Sequence, residues 1–157
     1  MAESWNESDK IHRVVFDGPE LHKLTFKFCV RGLCARKSWH FREKFETECL
    51  FSPTSWLCEM SFRQVTRNGR TCFPFVLKRT DSSSNPVNVK VSLHILDAAC
   101  KQLFRTPIIK EERMLAGEVI EVSLEEIMEF PKTVYFNLLL HVVLAIRITS
   151  CHSTSLQ

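Results

Sequence analysis

Seven cysteines and six histidines are the residues of this 157-residue chain with the most latent chemistry. A thiol enzyme needs a thiolate beside an imidazole, a third group that orients the imidazole, and donors for the oxyanion. Cys29, Cys34, Cys49, Cys58, Cys72, Cys100 and Cys151 are scattered and odd in number. Cys29, Cys49, Cys58 and Cys100 lie in or beside apolar segments, where cysteine packs as a small hydrophobe. A structural zinc site asks for a close Cys pair and a second pair to complete it. Cys29 and Cys34 are separated by four residues, Cys151-His152 stands far off, and no second close pair exists. His94 falls on the polar side of an alternating segment and is expected to be solvated, while His141 sits in an apolar run as a satisfied interior or turn histidine.

The other chemical patterns are equally plain. Glu125, Glu126 and Glu129 read as the solvated side of a short helix, close to its favourable N-terminal dipole. Asp9, Asp17, Asp81 and Asp97 are too widely spaced for a calcium-binding loop cluster. Four glycines, far apart, form no phosphate cradle. With 21 Lys plus Arg against 18 Asp plus Glu, the net charge is +3, too small an excess to point to nucleic acid. Lys78-Arg79 and Arg63…Arg67 are expected to be solvated ends of hairpin strands. The expectation is therefore a protein that is not an enzyme and needs no cofactor or metal.

Such side chains must be carried by something, and the pattern around them is that of strands. Leu24, Phe26, Phe28 and Val30 alternate with Thr25, Lys27, Cys29 and Arg31, the period of a strand with one buried face. Trp56, Cys58, Met60 and Phe62 repeat the pattern, then Phe73, Phe75 and Leu77, and most clearly Val87, Val89, Val91, Leu93 and Ile95. Asn68-Gly69 predicts a tight turn. Pro74 lacks a donor, so its strand should lie at an edge or carry a bulge. Ala35–Phe41 and Glu118–Val122 are further short strands, and Val142–Ile148 is the last. Arg42–Thr47 reads as loop or helical turn, the loop from Asp81 to Pro86 as solvated, and Thr106–Gly117 as a long charged loop. Ser123-Leu-Glu-Glu126 has the capping-box pattern of a helix start, stopped by Pro131.

The sum is seven or eight strands and one short helix, an all-β antiparallel sandwich. Apolar residues make up 45% of the chain, enough for a core without disulfides or metal. Residues 1–21 are expected to be a flexible tail with a short edge segment at Arg13–Phe16, residues 22–149 the sandwich, and 150–157 a second tail. The start MAESWNESDK has no apolar leader pattern, which predicts an intracellular protein, cytoplasmic or nuclear, with free thiols. Val134–Ile148 is too short and too interrupted by Asn137, His141 and Arg147 for a membrane span. No membrane or nucleic-acid partner is expected.

One order of motifs is familiar. Ser52-Pro53, then Ser55-Trp-Leu-Cys-Glu-Met60, Asn68-Gly69, Phe73-Pro-Phe-Val-Leu-Lys-Arg79 and Val89-Lys-Val-Ser-Leu-His-Ile-Leu-Asp97 together resemble the MATH domain, the TRAF-like β-sandwich, in the divergent form of speckle-type POZ proteins. Phe26–Leu33 stands where that family has its first strand, and Gly117–Met128 resembles its glycine, strand and short acidic-leucine helix. The chain departs from the family in lacking the first-strand tryptophan and the aromatic pair around the glycine, since Ala116 and Glu118 flank Gly117. The expectation is a MATH-like domain without a POZ domain after it.

The resemblance implies a protein-interaction module that binds a peptide of a partner protein, like a substrate-adaptor domain of ubiquitin-ligase relatives. The peptide would lie across a sheet face or add to an exposed edge. Cys72, Phe73, Phe75, Ala116 and Gly117 would border its groove, although alternation alone puts Phe73 and Phe75 in the core. No heptad pattern for a trimerising coiled coil is present, so a monomer or weak homodimer is expected. The competing expectation is a β-sandwich of another family, C2-like or structural, with no peptide groove.

Overall fold

The computed structural model describes residues 11–18, 21–30, 38–49, 52–65, 70–96, 108–126 and 140–149. Among them run nine strands: β1 (His12–Asp17), β2 (Leu21–Val30), β3 (Ser38–Glu46), β4 (Ser55–Val65), β5 (Arg70–Arg79), β6 (Val87–Leu96), β7 (Ile108–Met114), β8 (Val119–Glu126) and β9 (Leu140–Thr149). They form two antiparallel sheets, of order β1-β2-β9-β6-β7 and β3-β4-β5-β8. The fold is an all-β sandwich.

Alternation explains the packing. Leu24, Phe26, Phe28 and Val30 of β2, Val87 to Ile95 at every second place of β6, and Leu140 to Ile148 at every second place of β9 are buried. Opposite them lie Phe41 and Phe45 of β3, Trp56, Cys58 and Met60 of β4, and Phe75 and Leu77 of β5. Phe41 joins the sheets, stacked on Phe28 at 4.8 Å between ring centroids and edge-on to Phe26 at 5.2 Å. Each such side chain contributes about 1.5–3 kcal/mol by leaving water. Among the described residues no helix is long and apolar enough to cross a membrane.

Several expectations need correction. Arg42–Glu46 is strand, not loop or helical turn: Phe41 and Phe45 face the core while Arg42, Lys44 and Glu46 face water. The charged segment after Thr106 contains β7, whose backbone pairs with β6 although its residues Lys110–Arg113 are all exposed. Ser123–Glu126, read as a helix start, belongs to β8, since its backbone pairs with Thr71–Pro74 of β5 and tertiary pairing overrides a local capping signal. Among the described residues there are nine strands, one or two more than expected, in the antiparallel sandwich that alternation predicts. Arg13–Phe16 does form an edge strand, β1, so the sandwich extends upstream of residue 22. The segments around Asn68-Gly69, 127–131 and 134–139 lie outside the described residues.

Pro74 sits in a central strand, not at an edge. The ladder with β4 runs to Met60↔Phe75 and resumes at Arg63↔Cys72, so pairing is interrupted opposite the residue that has no N–H to donate. Arg79, expected in solvent, is 0% exposed. Its guanidinium donates to both carboxylate oxygens of Asp81 (3.0 and 3.1 Å) and to the carbonyls of Asn85 (2.7 Å) and Met114 (2.8 Å). Asp81 also accepts the N–H groups of Ser55 and Ser83, each at 3.0 Å. Burial alone would push this carboxyl up. The bonds from Arg79, Ser55 and Ser83 and the guanidinium charge outweigh it and hold Asp81 below the usual carboxylate range.

Candidate functional site

The residues expected to border a peptide groove are spread along β5 rather than gathered. Phe75 is 1% exposed and belongs to the core. Ala116 and Gly117 form the tight turn between β7 and β8, where Gly117 adopts φ 84°, a conformation that favours glycine. The Gly117 N–H donates to the Arg79 carbonyl at 3.0 Å, so this turn lies at the end of β5. Cys72 and Phe73 pair instead with Glu125 and Leu124 of β8, seven and six residues back along the strand from Arg79. At ~3.3 Å per residue, Cys72 is about 23 Å from the turn. One short groove does not contain all five.

The histidines and cysteines do meet, in ways their separation in the chain conceals. His22 Nδ1 lies 2.6 Å from Asp17 Oδ1, and the same ring hydrogen-bonds Cys49. Cys49 Sγ accepts the Ser52 N–H at 3.4 Å. Burial alone would lower the pKa of this imidazole; the bonds to Asp17 and Cys49 and the negative charge of Asp17 raise it above the ordinary 6.5. The order of groups, carboxylate, imidazole and thiol, is that of a thiol triad. His22 and Cys49 are only 4% and 5% exposed, however, and the adjoining void holds about 10 Å³, room for one water and for no substrate. The arrangement ties β1, β2 and the segment after β3 together.

Cys29 Sγ and His141 Nδ1 approach to 3.4 Å across β2 and β9, half-buried on the outer side of the sheet. Cys58 is fully enclosed; burial, and then the nearby charges of Glu43 and Glu59, push its thiol well above the ordinary range and keep it protonated. Among the described residues no group of three or more His, Cys, Asp or Glu is placed to hold a metal ion.

Two surface features remain. A depression of about 620 Å³ opens beside β3, β4 and β5, lined by Arg13, Lys44, Leu57, Lys78, Glu46 and Glu48 among others. Its charges are mixed, and no set of polar groups converges in it. The second is β1. Among the described residues it pairs only with β2, its six residues are all exposed, and Val14, Val15 and Phe16 are 50%, 55% and 55% exposed. It is nevertheless held in place. Arg13 passes 5.5 Å over the Phe26 ring, donates to the Lys44 carbonyl at 2.9 Å and reaches Glu43 at 3.5 Å. Asp17 holds the other end through His22. Only the first of these ties has a sequence signal, a lone arginine in an otherwise apolar edge segment.

No family model and no curated protein matches the chain. Among solved structures, a match is found to the C-terminal family 22 carbohydrate-binding module of Clostridium thermocellum Xyn10B, at 10% identity, over 73% of this chain and 83% of that one, with a TM-score of 0.30.

Proposed function

We propose that the domain is a protein-interaction module that takes an extended segment of a partner protein as an added strand along the free edge of β1. The observation that carries this reading is the edge itself: six consecutive exposed residues with an apolar Val14-Val15-Phe16 centre and main-chain groups that no strand covers among the described residues. Natural sandwiches protect such edges with charge, proline or a bulge, because a bare apolar edge templates pairing with another chain. Here the anchors at Arg13 and Asp17 keep the edge in register instead. Backbone bonds would supply affinity, and Val14 and Phe16 on one side with Val15 on the other would supply side-chain selectivity. The MATH-like order of motifs in the sequence supports the same class of function, although the edge strand is not where that resemblance would put a groove.

The test is selection of peptides from a random displayed library, followed by titration against the wild type and against Val14→Pro and Val15→Pro. Neighbouring strand residues point their N–H groups in opposite directions, so one of the two substitutions removes an outward donor while sparing the ladder with β2. The expected result is a loss of at least about tenfold in affinity for that variant, roughly one charge-free hydrogen bond or more. Equal binding by the wild type and both variants overturns the edge as the docking element.

A further inference from the structure

The outer face of the five-stranded sheet carries a pattern that sequence separation hides. Lys23 of β2 stands opposite Arg147 of β9, and Arg147 stands opposite Lys90 of β6. All three point outward, because their strand neighbours Leu24, Ile146, Ile148, Val89 and Val91 fill the core. Lys23 and Arg147 are exposed and Lys90 is half-buried. Among the described residues none of the three makes an ion pair. The row ends at Phe16 of β1 and at Glu111 of β7, its one carboxylate.

The next row is low: Thr25, Ala145 and Ser92. Beyond it, Lys27 and His94 flank Val143. Two banks of basic groups therefore enclose a strip floored by small side chains. The banks are four residues apart along each strand, or about 13 Å at ~3.3 Å per residue, which admits one extended chain. Like charges directly opposite each other across strands are destabilising. The face retains three in a line, whereas on the other sheet Arg42 is paired with Glu59 at 3.5 Å.

We infer that this face docks an acidic segment of a partner protein, an extended peptide with Asp or Glu at alternate positions, lying across β2, β9 and β6 over Thr25, Ala145 and Ser92. Charge complementarity selects the occupant. Side chains two apart in an extended peptide are about 7 Å apart on one side, within reach of three long cations spaced by strands about 4.8 Å apart. A single-stranded nucleic acid would call for stacking aromatics along the strip, and among the described residues of this face only Phe16, at the end of one row, is aromatic. This track crosses β2, β9 and β6 and adjoins β1 at Phe16 and Val14, but it uses side-chain charge where the β1 edge uses main-chain donors, so different substitutions test the two proposals.

The experiment titrates the full chain with a fluorescent peptide of alternating Glu and Ser, its Gln-for-Glu counterpart, a single-stranded RNA of the same length, and vesicles of phosphatidylcholine with 30% phosphatidylserine. The acidic peptide is expected to bind and the Gln peptide not to. Arg147→Glu is expected to weaken binding at least tenfold and Arg147→Gln several-fold, while Lys78→Glu on the opposite sheet leaves it unchanged. Raising salt weakens the wild type most. The Val14→Pro and Val15→Pro variants keep this affinity. Equal binding of the acidic peptide by wild type and Arg147→Gln overturns the proposal, as does absence of binding. Tighter binding of RNA or vesicles that the same substitutions abolish overturns it too, replacing the peptide with that partner.

Discussion

Two groups of cations in this domain are treated in opposite ways. Arg79 is sealed inside, with Asp81 and the carbonyls of Asn85 and Met114 meeting its donors. Lys23, Arg147 and Lys90 stand side by side on an outer face with no internal ion-pair partner among the described residues. The first charge is consumed by the fold: it locks the end of β5 to the loop before β6 and to the end of β7. The second set opposes itself, since Arg147 stands directly between Lys23 and Lys90. A charge that the fold has answered is architecture, and a charge that it leaves unanswered is available to a partner.

The sharpest way to break this contrast is to unpair the buried charge. Asp81→Ala leaves the Arg79 guanidinium enclosed without its counter-ion and strips the acceptor from the Ser55 and Ser83 N–H groups. Removing one member of a buried pair costs about 3–5 kcal/mol. Urea denaturation should show that loss, and a loss under about 1 kcal/mol would mean that the cage is not a structural tie.

The pH dependence should separate the same cage from the tie at β1. Asp81 is held below its ordinary 3.8 in the fold. Its contribution is present above that value and is lost as pH falls through the lowered folded value, so the wild type should weaken in acid below about pH 4 more than Asp81→Asn does. His22 shifts the other way, above the ordinary 6.5. Its contribution is fully present below that value and is lost as pH rises through the folded one. Melting curves of the wild type should therefore show a lower Tm at pH 8 than at pH 6, a difference that His22→Gln flattens. A parallel drop in both proteins would remove the Asp17–His22 pair as a stabilising contact.

Much of the sandwich is readable from alternation, because Leu24–Val30 and Val87–Ile95 put every second side chain in oil. The strands that escape are those in which backbone pairing does what side chains elsewhere do. β7 shows four exposed residues in a row, Lys110–Arg113, and β3 interleaves Phe41 and Phe45 with Arg42, Lys44 and Glu46, which look like a charged loop. The burial of Arg79 leaves a trace, an aspartate two places on, but a long cation at a strand end looks solvated until the loop folds over it. The site-level features are the least legible. Cys29 and His141 are 112 positions apart, and only the β2–β9 register brings them together. The Lys23–Arg147–Lys90 row is likewise a product of register alone, since no local pattern around any of the three marks it. The five residues that the MATH resemblance implies share a motif order, which says nothing about distance along β5.

The smallest effect expected is also the one that bears most directly on the outer row. If Lys23, Arg147 and Lys90 serve the fold, removing one weakens it. If their mutual repulsion is an unrelieved cost, Arg147→Ser leaves stability unchanged or raises it, by no more than about 0.2–1 kcal/mol, the size of a cross-strand charge effect. Salt gives the sign independently. Screening relieves repulsion between exposed charges within about a Debye length, so added sodium chloride should raise the Tm of the wild type more than that of Arg147→Ser at low ionic strength. A variant that melts lower than the wild type, with the same response to salt, would place Arg147 with Arg79 among the charges that the fold consumes. It would leave the outer face with no unanswered charge at its centre.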